Sequence, residues 1–403
     1  MKKDILTSIE LGLCKLLILS TSILWYPLSL SVDVKAHHVV LIAIAFLSLM
    51  SGRLLTYLVA EAFKAPLLIF GLLGWLTALT CTVVFFDTTW DLIKVLSFSV
   101  QIVIGNYAVF KLLQLGELGD IRRLLNISFI IFIFSFFALS GNSLQDFVNL
   151  IVGIVTTGNG REMLNFFARA PLFQSISADG LDGLRHTISM YLSLIFLLNI
   201  VSPSKKSSGL LVSMLLILIV FFQSRSAWVA LIIPLLVFGV MKIDIKLTIA
   251  KWVWLIFSAL TGLGLFVYYL MPILFNRAME VGSYGGRLER LDESIYYLGD
   301  LSFLPISGTR EFGSSHMFIF DSYYSGGLVA FVFSIFIVIS VICVCLPPRK
   351  IRFSATSLSF TLAYLFIVRL FTAGSGLPGI GASLGYSIAL NVRPKGDSLQ
   401  DEK

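Results

Sequence analysis

The sequence predicts an all-α, polytopic integral membrane protein with about twelve transmembrane helices and two long external loops that contain short amphipathic helices. Three observations carry that prediction. Of 403 residues, 57% are hydrophobic and only 13% charged, and mean hydropathy is +0.92, values that a water-soluble domain does not reach. Apolar runs of spanning length recur along the whole chain, separated by polar breaks. Basic residues gather in alternate breaks, as the positive-inside rule requires of a chain that crosses repeatedly.

The apolar runs are 11–30, 39–60, 66–86, 92–113, 124–140, 185–201, 209–223, 226–241, 250–274, 326–346, 354–372 and 377–392, in one membrane domain covering 1–403. The first follows MKKDILTSIE and lacks a small-residue cleavage site, so it reads as a retained helix. If every run crosses, Lys2 and Lys3, Lys64, Lys111 with Arg122 and Arg123, Lys205 with Lys206, Lys242 with Lys246 and Lys251, Arg349 with Lys350 and Arg352, and Arg393 with Lys395 nearly all fall on one side, Lys251 being the exception only if its helix starts early. That side is cytoplasmic, and both termini belong to it. The last run is short and glycine-rich. A full crossing keeps the basic RPK after it in the cytoplasm, whereas a re-entrant segment moves it outside.

Charges inside the runs have simple explanations. Lys15 and Arg53 lie toward cytoplasmic ends and Lys94 toward an outer end, all within snorkelling reach of water. Cys14, Cys81, Cys343 and Cys345 all fall in apolar runs, so neither a disulfide nor a metal site is expected. The chain has no phosphate-cradling glycine run, no carboxylate cluster with metal-ligand spacing and no Gly-x-Ser-x-Gly, so no cofactor is expected either. The net charge of +7 comes mostly from cytoplasmic anchors, which argues against a nucleic-acid partner.

The external loops are 141–184 and 275–325. The first opens on LQDFVNLIVGIV, an interfacial amphipathic helix by pattern, and carries Arg169; Arg185 follows at the start of the sixth run. In the second, Leu288, Leu291, Ile295 and Leu298 share a helical face, with Arg287 and Arg290 beside them and Glu289 and Glu293 opposite. Arg290 has Glu293 one turn on, so a surface ion pair competes with ligand binding there. Arg287 has no acid at that spacing and is freer to hold an anion. The chain then turns through Pro305, Gly308 and Gly313 and reaches Ser314, Ser315 and His316 directly before the next apolar run. A histidine at such a membrane mouth can act as a base near neutral pH.

A third external feature is the interruption of residues 209–241 by Gln223–Ser226, with lysines at both ends of the stretch. Equal charge at both ends makes it a hairpin with Arg225 at its outer tip. Left unpaired in hydrocarbon, that arginine would cost at least roughly 2.5 kcal/mol, so it needs water, a carboxylate or a bound anion. Arg369, near the outer end of the eleventh run, is a further candidate for the same cavity.

Taken together, SRSAW in a hairpin, then GGRLERLDESIYYLGDLSFLPISGTREFGSSH, then a span opening on SYYSGGL resemble the O-antigen polymerase and ligase superfamily of bacterial envelopes. Its members carry Ser-Arg in the hairpin, an arginine opening the loop helix, a proline-glycine turn and His-Asn before the next span. Arg225, Arg287, Pro305 with Gly308, and His316 match; Met317 stands where the family has Asn. The specific motifs lie between about residues 160 and 330. The resemblance implies glycosyl transfer at the periplasmic face of the inner membrane from an undecaprenyl-diphosphate-linked oligosaccharide, without metal or nucleotide sugar. Arg225 and Arg287 then hold the leaving diphosphate, and His316 takes the acceptor hydroxyl's proton. Arg290, Arg169, Arg185 and Arg369 are further substrate-binding candidates, and His186 is expected to matter less. Membrane lipid and a chain-length regulator protein are the implied partners.

A short Gly308–His316 segment and the Arg169–Gly180 spacing favour a polymerase over a ligase that moves finished polymer onto lipid A core. A lipid-linked oligosaccharide flippase is the alternative of another class. It calls for intramembrane charges and related halves, and the runs show neither a deep acid nor an internal repeat.

Overall fold

The computed structural model of the chain describes residues 2–23, 27–29, 34–62, 66–86, 92–116, 118–140, 143–157, 178–201, 209–222, 224–242, 296, 317–345, 353–372, 377 and 379–392. Described this way, the chain is almost entirely helical. Helices α1 (Lys2–Ser20), α2 (Ala36–Met50), α3 (Arg53–Ala62), α4 (Pro66–Phe86), α5 (Leu92–Leu115) and α6 (Leu118–Ser140) form the first half. A short antiparallel pair, β1 (Pro27–Ser29) with β2 (Val34–Lys35), links α1 to α2. Then follow α7 (Leu144–Thr157), α8 (Ala178–Val201), α9 (Gly209–Phe221), α10 (Arg225–Lys242), α11 (Phe318–Cys345), α12 (Phe353–Thr372) and α13 (Ile380–Val392).

Helices are the expected answer for so apolar a chain, because a backbone in lipid must satisfy its own hydrogen bonds. Among the described residues three helices are long and apolar enough to cross a membrane, Ile5–Ile23, Leu96–Leu115 and Phe318–Cys345. A fourth is added if α2 and Arg53–Ala60 count as one bent span. Phe46, Met50, Phe134 and Leu210 are among many large apolar side chains exposed on the surface, as a membrane-embedded protein requires.

The structure departs from the predicted runs in two instructive places. Run 39–60 is not one straight helix, since α2 and α3 meet at 92°. Gly52, with φ +69°, makes the break, and its N–H caps α2 by bonding to the Leu49 carbonyl at 2.9 Å. Hydropathy averages over such a corner and cannot register it. Helix α11 starts at Phe318, inside the interval assigned to the second loop, and leaves helical geometry at Gly327 (φ 70°, ψ −163°). Its 28 residues are thus two helical segments that meet at a kink. Run 250–274 and the 288–298 helix lie outside the described residues, apart from Tyr296, which is helical and exposed. Helix α7 occupies the stretch where the first loop was expected to open on an amphipathic helix, and Ser143 and Asp146 close a reciprocal cap at its start.

Two helices are enclosed. Every residue of α8 from Ile188 to Asn199 is buried, and so is every residue of α13 from Ile380 to Ala389. Helix α13 can be central because its small residues let neighbours approach: a Cβ placed on Gly381 would lie 2.7 Å from the Tyr191 Cα of α8. Ser359 of α12 donates to the Ala389 carbonyl at 3.1 Å, and Asn391 donates to Asn106 of α5 at 2.6 Å. Between α6 and α8, Asn126 and Asn199 exchange amide hydrogen bonds of 3.2 and 2.7 Å, and Ser128 bonds to Tyr191 at 2.6 Å.

Helices α4 and α11 run antiparallel along a glycine face, Gly71 and Gly74 against Phe333 and Ile337. A methyl group on Gly71 would lie 3.0 Å from the Ile337 nitrogen and 3.1 Å from the Phe333 carbonyl oxygen, backbone atoms that cannot turn aside. Gly71→Ala is therefore expected to destabilise the protein by about 1–3 kcal/mol, read as a lowered thermal midpoint in detergent. An unchanged midpoint would mean that the two helices can separate freely.

Arg53, read from sequence as a charge within reach of water, has protein partners. It forms an ion pair with Glu10 of α1, donates to Thr7 at 2.8 Å, and shares Glu10 with the Tyr107 hydroxyl of α5. Glu10 is 2% exposed, so a charge read from sequence as a polar leader is a buried joint between α1, α3 and α5. Asp321, assigned from sequence to a loop, is likewise buried, at 0% exposure in the first turn of α11.

Candidate functional site

One end of the bundle collects the starts of α8, α10, α11 and α13 and the last turn of α12. The hairpin expected at residues 209–241 is present: α9 ends at Phe221 and α10 begins at Arg225. Ser224 caps α10, its carbonyl accepting the Trp228 N–H at 3.1 Å and its hydroxyl accepting the Ala227 N–H at 3.4 Å. Arg225 is thus the first helical residue, at the end where unsatisfied N–H groups and the helix dipole favour an anion.

Helix α8 reaches this cap through His186. The imidazole Nδ1 and Ser224 Oγ share a hydrogen bond of 2.8 Å, Ser226 Oγ lies 3.4 Å from the same nitrogen, and the two hydroxyls are 3.0 Å apart. Ser224 and Ser226 are buried and His186 is half-buried. The two serines flank Arg225 in the chain, so one imidazole grips both sides of that position.

Arg369 lies in the last turn of α12 and is 2% exposed; among the described residues neither its Nε nor its Nη1 has a hydrogen-bond partner. The antiparallel register of α12 and α13 fixes its level. Ser359 pairs with Ala389, and the Leu362 carbonyl faces Gly385, so equal counting along both helices sets Arg369 opposite Gly379. A Cβ on Gly379 would lie 3.0 Å from Thr187, the neighbour of His186. Arg369, Gly379, His186 and the cap of α10 therefore occupy one level. Phe366, one turn before Arg369, stacks on Tyr386 at 4.9 Å and on Phe98 at 6.5 Å, which fixes the rotation of α12.

Of the residues singled out from sequence, Arg225, Arg369 and Arg185 belong to helices that meet at this end, Arg185 being the residue before His186. Arg169, Arg287, Arg290 and His316 lie outside the described residues. Met317, the residue after His316, directly precedes α11, and its carbonyl accepts the Asp321 N–H at 2.8 Å. Ser224, Ser226 and the buried Asp321 were not singled out. A serine directly before an apolar helix was a legible cap signal for Ser224. No group of three or more potential metal ligands occurs among the described residues.

What this arrangement can do is hold an anion. A buried guanidinium with two of its nitrogens left without acceptors is costly, and a bidentate phosphate or carboxylate offsets that cost. No protein-family model matches the chain, and no curated protein matches it in sequence, so the case for function rests on the side chains at this end of the bundle.

Proposed function

We propose that this protein is an O-antigen polymerase: a metal-independent glycosyltransferase joining undecaprenyl-diphosphate-linked oligosaccharide units at the periplasmic face of the bacterial inner membrane. In this reading the chain spans twelve times with both termini cytoplasmic, and the end of the bundle bearing Arg369 faces outward. The observation that carries it is the buried Arg369 guanidinium, with Nε and Nη1 unpartnered among the described residues, level with the helix start that bears Arg225. A diphosphate leaving group needs fixed positive charge that is present before reaction, and arginine supplies it as a permanent planar fork.

Arg287 and Arg290 from the 275–325 loop, Arg169 from the 141–184 loop and Arg185 complete the cationic surface. The acceptor hydroxyl oxygen attacks the anomeric carbon of the donor glycan, and the bond from that carbon to the diphosphate oxygen breaks. Undecaprenyl diphosphate leaves with the electron pair, the acceptor proton passes to His316, and the anomeric centre inverts. The lipid tail enters between helices, and a chain-length regulator protein sets when the product leaves.

Ligation to lipid A core would use the same chemistry with another acceptor. The flippase reading gains one specific observation, the burial of Glu10 and Asp321 inside helices. Glu10, however, already has its counter-cation in Arg53. The surface-polysaccharide gel pattern of a deletion strain separates the three readings. Core plus a single unit is expected of a polymerase, naked core with accumulated lipid-linked polymer marks a ligase, and loss of both with unflipped precursor marks a flippase.

A further inference from the structure

We propose that His186 is a positioning residue for Arg225: through Ser224 and Ser226 it fixes the N-terminus of α10 against α8 and so sets where that arginine meets the donor diphosphate. The proposal rests on the diphosphate reading above and adds to it the device that holds the site in register.

The two partners differ in how firmly the fold holds them. Helix α8 is enclosed from Ile188 to Asn199 and is locked to α13 by backbone contact between Tyr191 and Gly381. It cannot shift without moving the core. Helix α10 is less secure, because Pro234 inside it removes a backbone donor and interrupts its hydrogen-bond ladder. Its first turn is set against its neighbours by lateral ties as well as by its own cap. Beside the packing of α10 on α12, the side-chain hydrogen bonds that tie this turn include the Trp228 indole donating to the Ile219 carbonyl of α9 at 3.4 Å and the His186 contacts to Ser224 and Ser226. The first tie joins α10 only to its hairpin partner. The second refers it to the enclosed helix, and it holds the residue on either side of Arg225.

The role does not depend on titration. A hydroxyl can donate to a neutral imidazole nitrogen or accept from a protonated one, so the tie persists in both states. This separates positioning from base catalysis. Asn at 186 sets an amide near where Nδ1 stood and can keep the bond, but it cannot exchange a proton in the working pH range; Leu fills similar space and makes no bond. Misplacing a reacting group by about 1 Å can cost roughly a hundred-fold in rate, which is the loss expected for Leu.

The test uses the purified full-length protein, with turnover on lipid-linked repeat units and thermal stabilisation by undecaprenyl diphosphate read side by side. His186→Asn is expected to keep turnover within a few-fold of native with an unchanged pH profile, and to keep the stabilisation. His186→Leu is expected to lose about a hundred-fold in turnover and most of the stabilisation. If His186→Leu does not fold, Ser226→Ala, which removes one of the two hydroxyls at the imidazole and leaves the Ser224 cap in place, is expected to lower turnover and stabilisation in the same direction. Asn as inactive as Leu, or Leu within a few-fold of native, overturns the positioning role. A native protein stabilised by undecaprenyl diphosphate, with His186→Leu stabilised equally, overturns that role alone. A native protein that undecaprenyl diphosphate does not stabilise overturns the diphosphate reading on which it rests.

Discussion

His316→Ala is expected to abolish or nearly abolish polymer formation, a loss of roughly a hundred- to ten-thousand-fold in turnover, while the lipid-linked donor still binds. His316 is followed by Met317, whose carbonyl is tied to the first turn of α11, so the chain on one side of the histidine is anchored to a long helix. A neutral imidazole there can accept the acceptor hydroxyl's proton. His316→Asn sharpens the test because an amide can bond but cannot take that proton. It should be as inactive as alanine, the opposite of what the same replacement is expected to do at His186. Turnover with purified lipid-linked substrate decides the matter. An alanine variant within a few-fold of native leaves His316 as a polar residue at a helix start.

Arg369→Met is expected to raise the thermal midpoint of the ligand-free protein and to destroy its activity. Among the described residues Nε and Nη1 of this buried guanidinium lack partners, and burying a charged group whose hydrogen bonds are not all made is costly. Methionine fills much of the same volume without that cost. If the guanidinium is there for the leaving diphosphate, its removal should lower turnover by about a hundred- to a thousand-fold, as losing one charge-stabilising donor does elsewhere. Stabilisation by undecaprenyl diphosphate should weaken with it. Arg369→Lys keeps a charge but not the fork and should fall between the two. A methionine variant that is less stable and still active would make Arg369 a structural residue.

Much of the helical framework was legible from apolarity alone. Run 66–86 is α4 residue for residue, and the hairpin at 209–241 was readable because Gln223–Ser226 breaks an otherwise continuous stretch between lysines. The corner at Ser51–Gly52 was not, since it is set by one backbone angle and the residues on both sides are as apolar as a straight span needs. Pairing across the fold was also hidden. Glu10 and Arg53 lie far apart in sequence with no periodicity to join them, so each looked like an isolated charge near a membrane edge. Asp321 misled for the opposite reason: an acid after a polar loop reads as loop, although the helix had already begun at Phe318.

The candidate site divides in the same way. Arg225 stood out because a cation in a tight apolar hairpin demands a partner, and the end of a span drew attention to Arg369. His186 looked secondary because its partners come from another helix, and hydrogen bonds between helices leave no mark in a one-dimensional pattern. The glycines Gly379 and Gly381 read only as a weak spot in the last run. In the fold they are what allows α13 to approach α8, while the register of α12 on α13 sets Arg369 level with His186.

The central claim is tested most directly by incubating the purified full-length protein with undecaprenyl-diphosphate-linked repeat units and separating the products by size. The expected result is a ladder of lipid-linked polymer, with one undecaprenyl diphosphate released for each bond formed. A protein that leaves the units unjoined, yet transfers finished polymer to lipid A core or moves the units across a vesicle membrane, would contradict it.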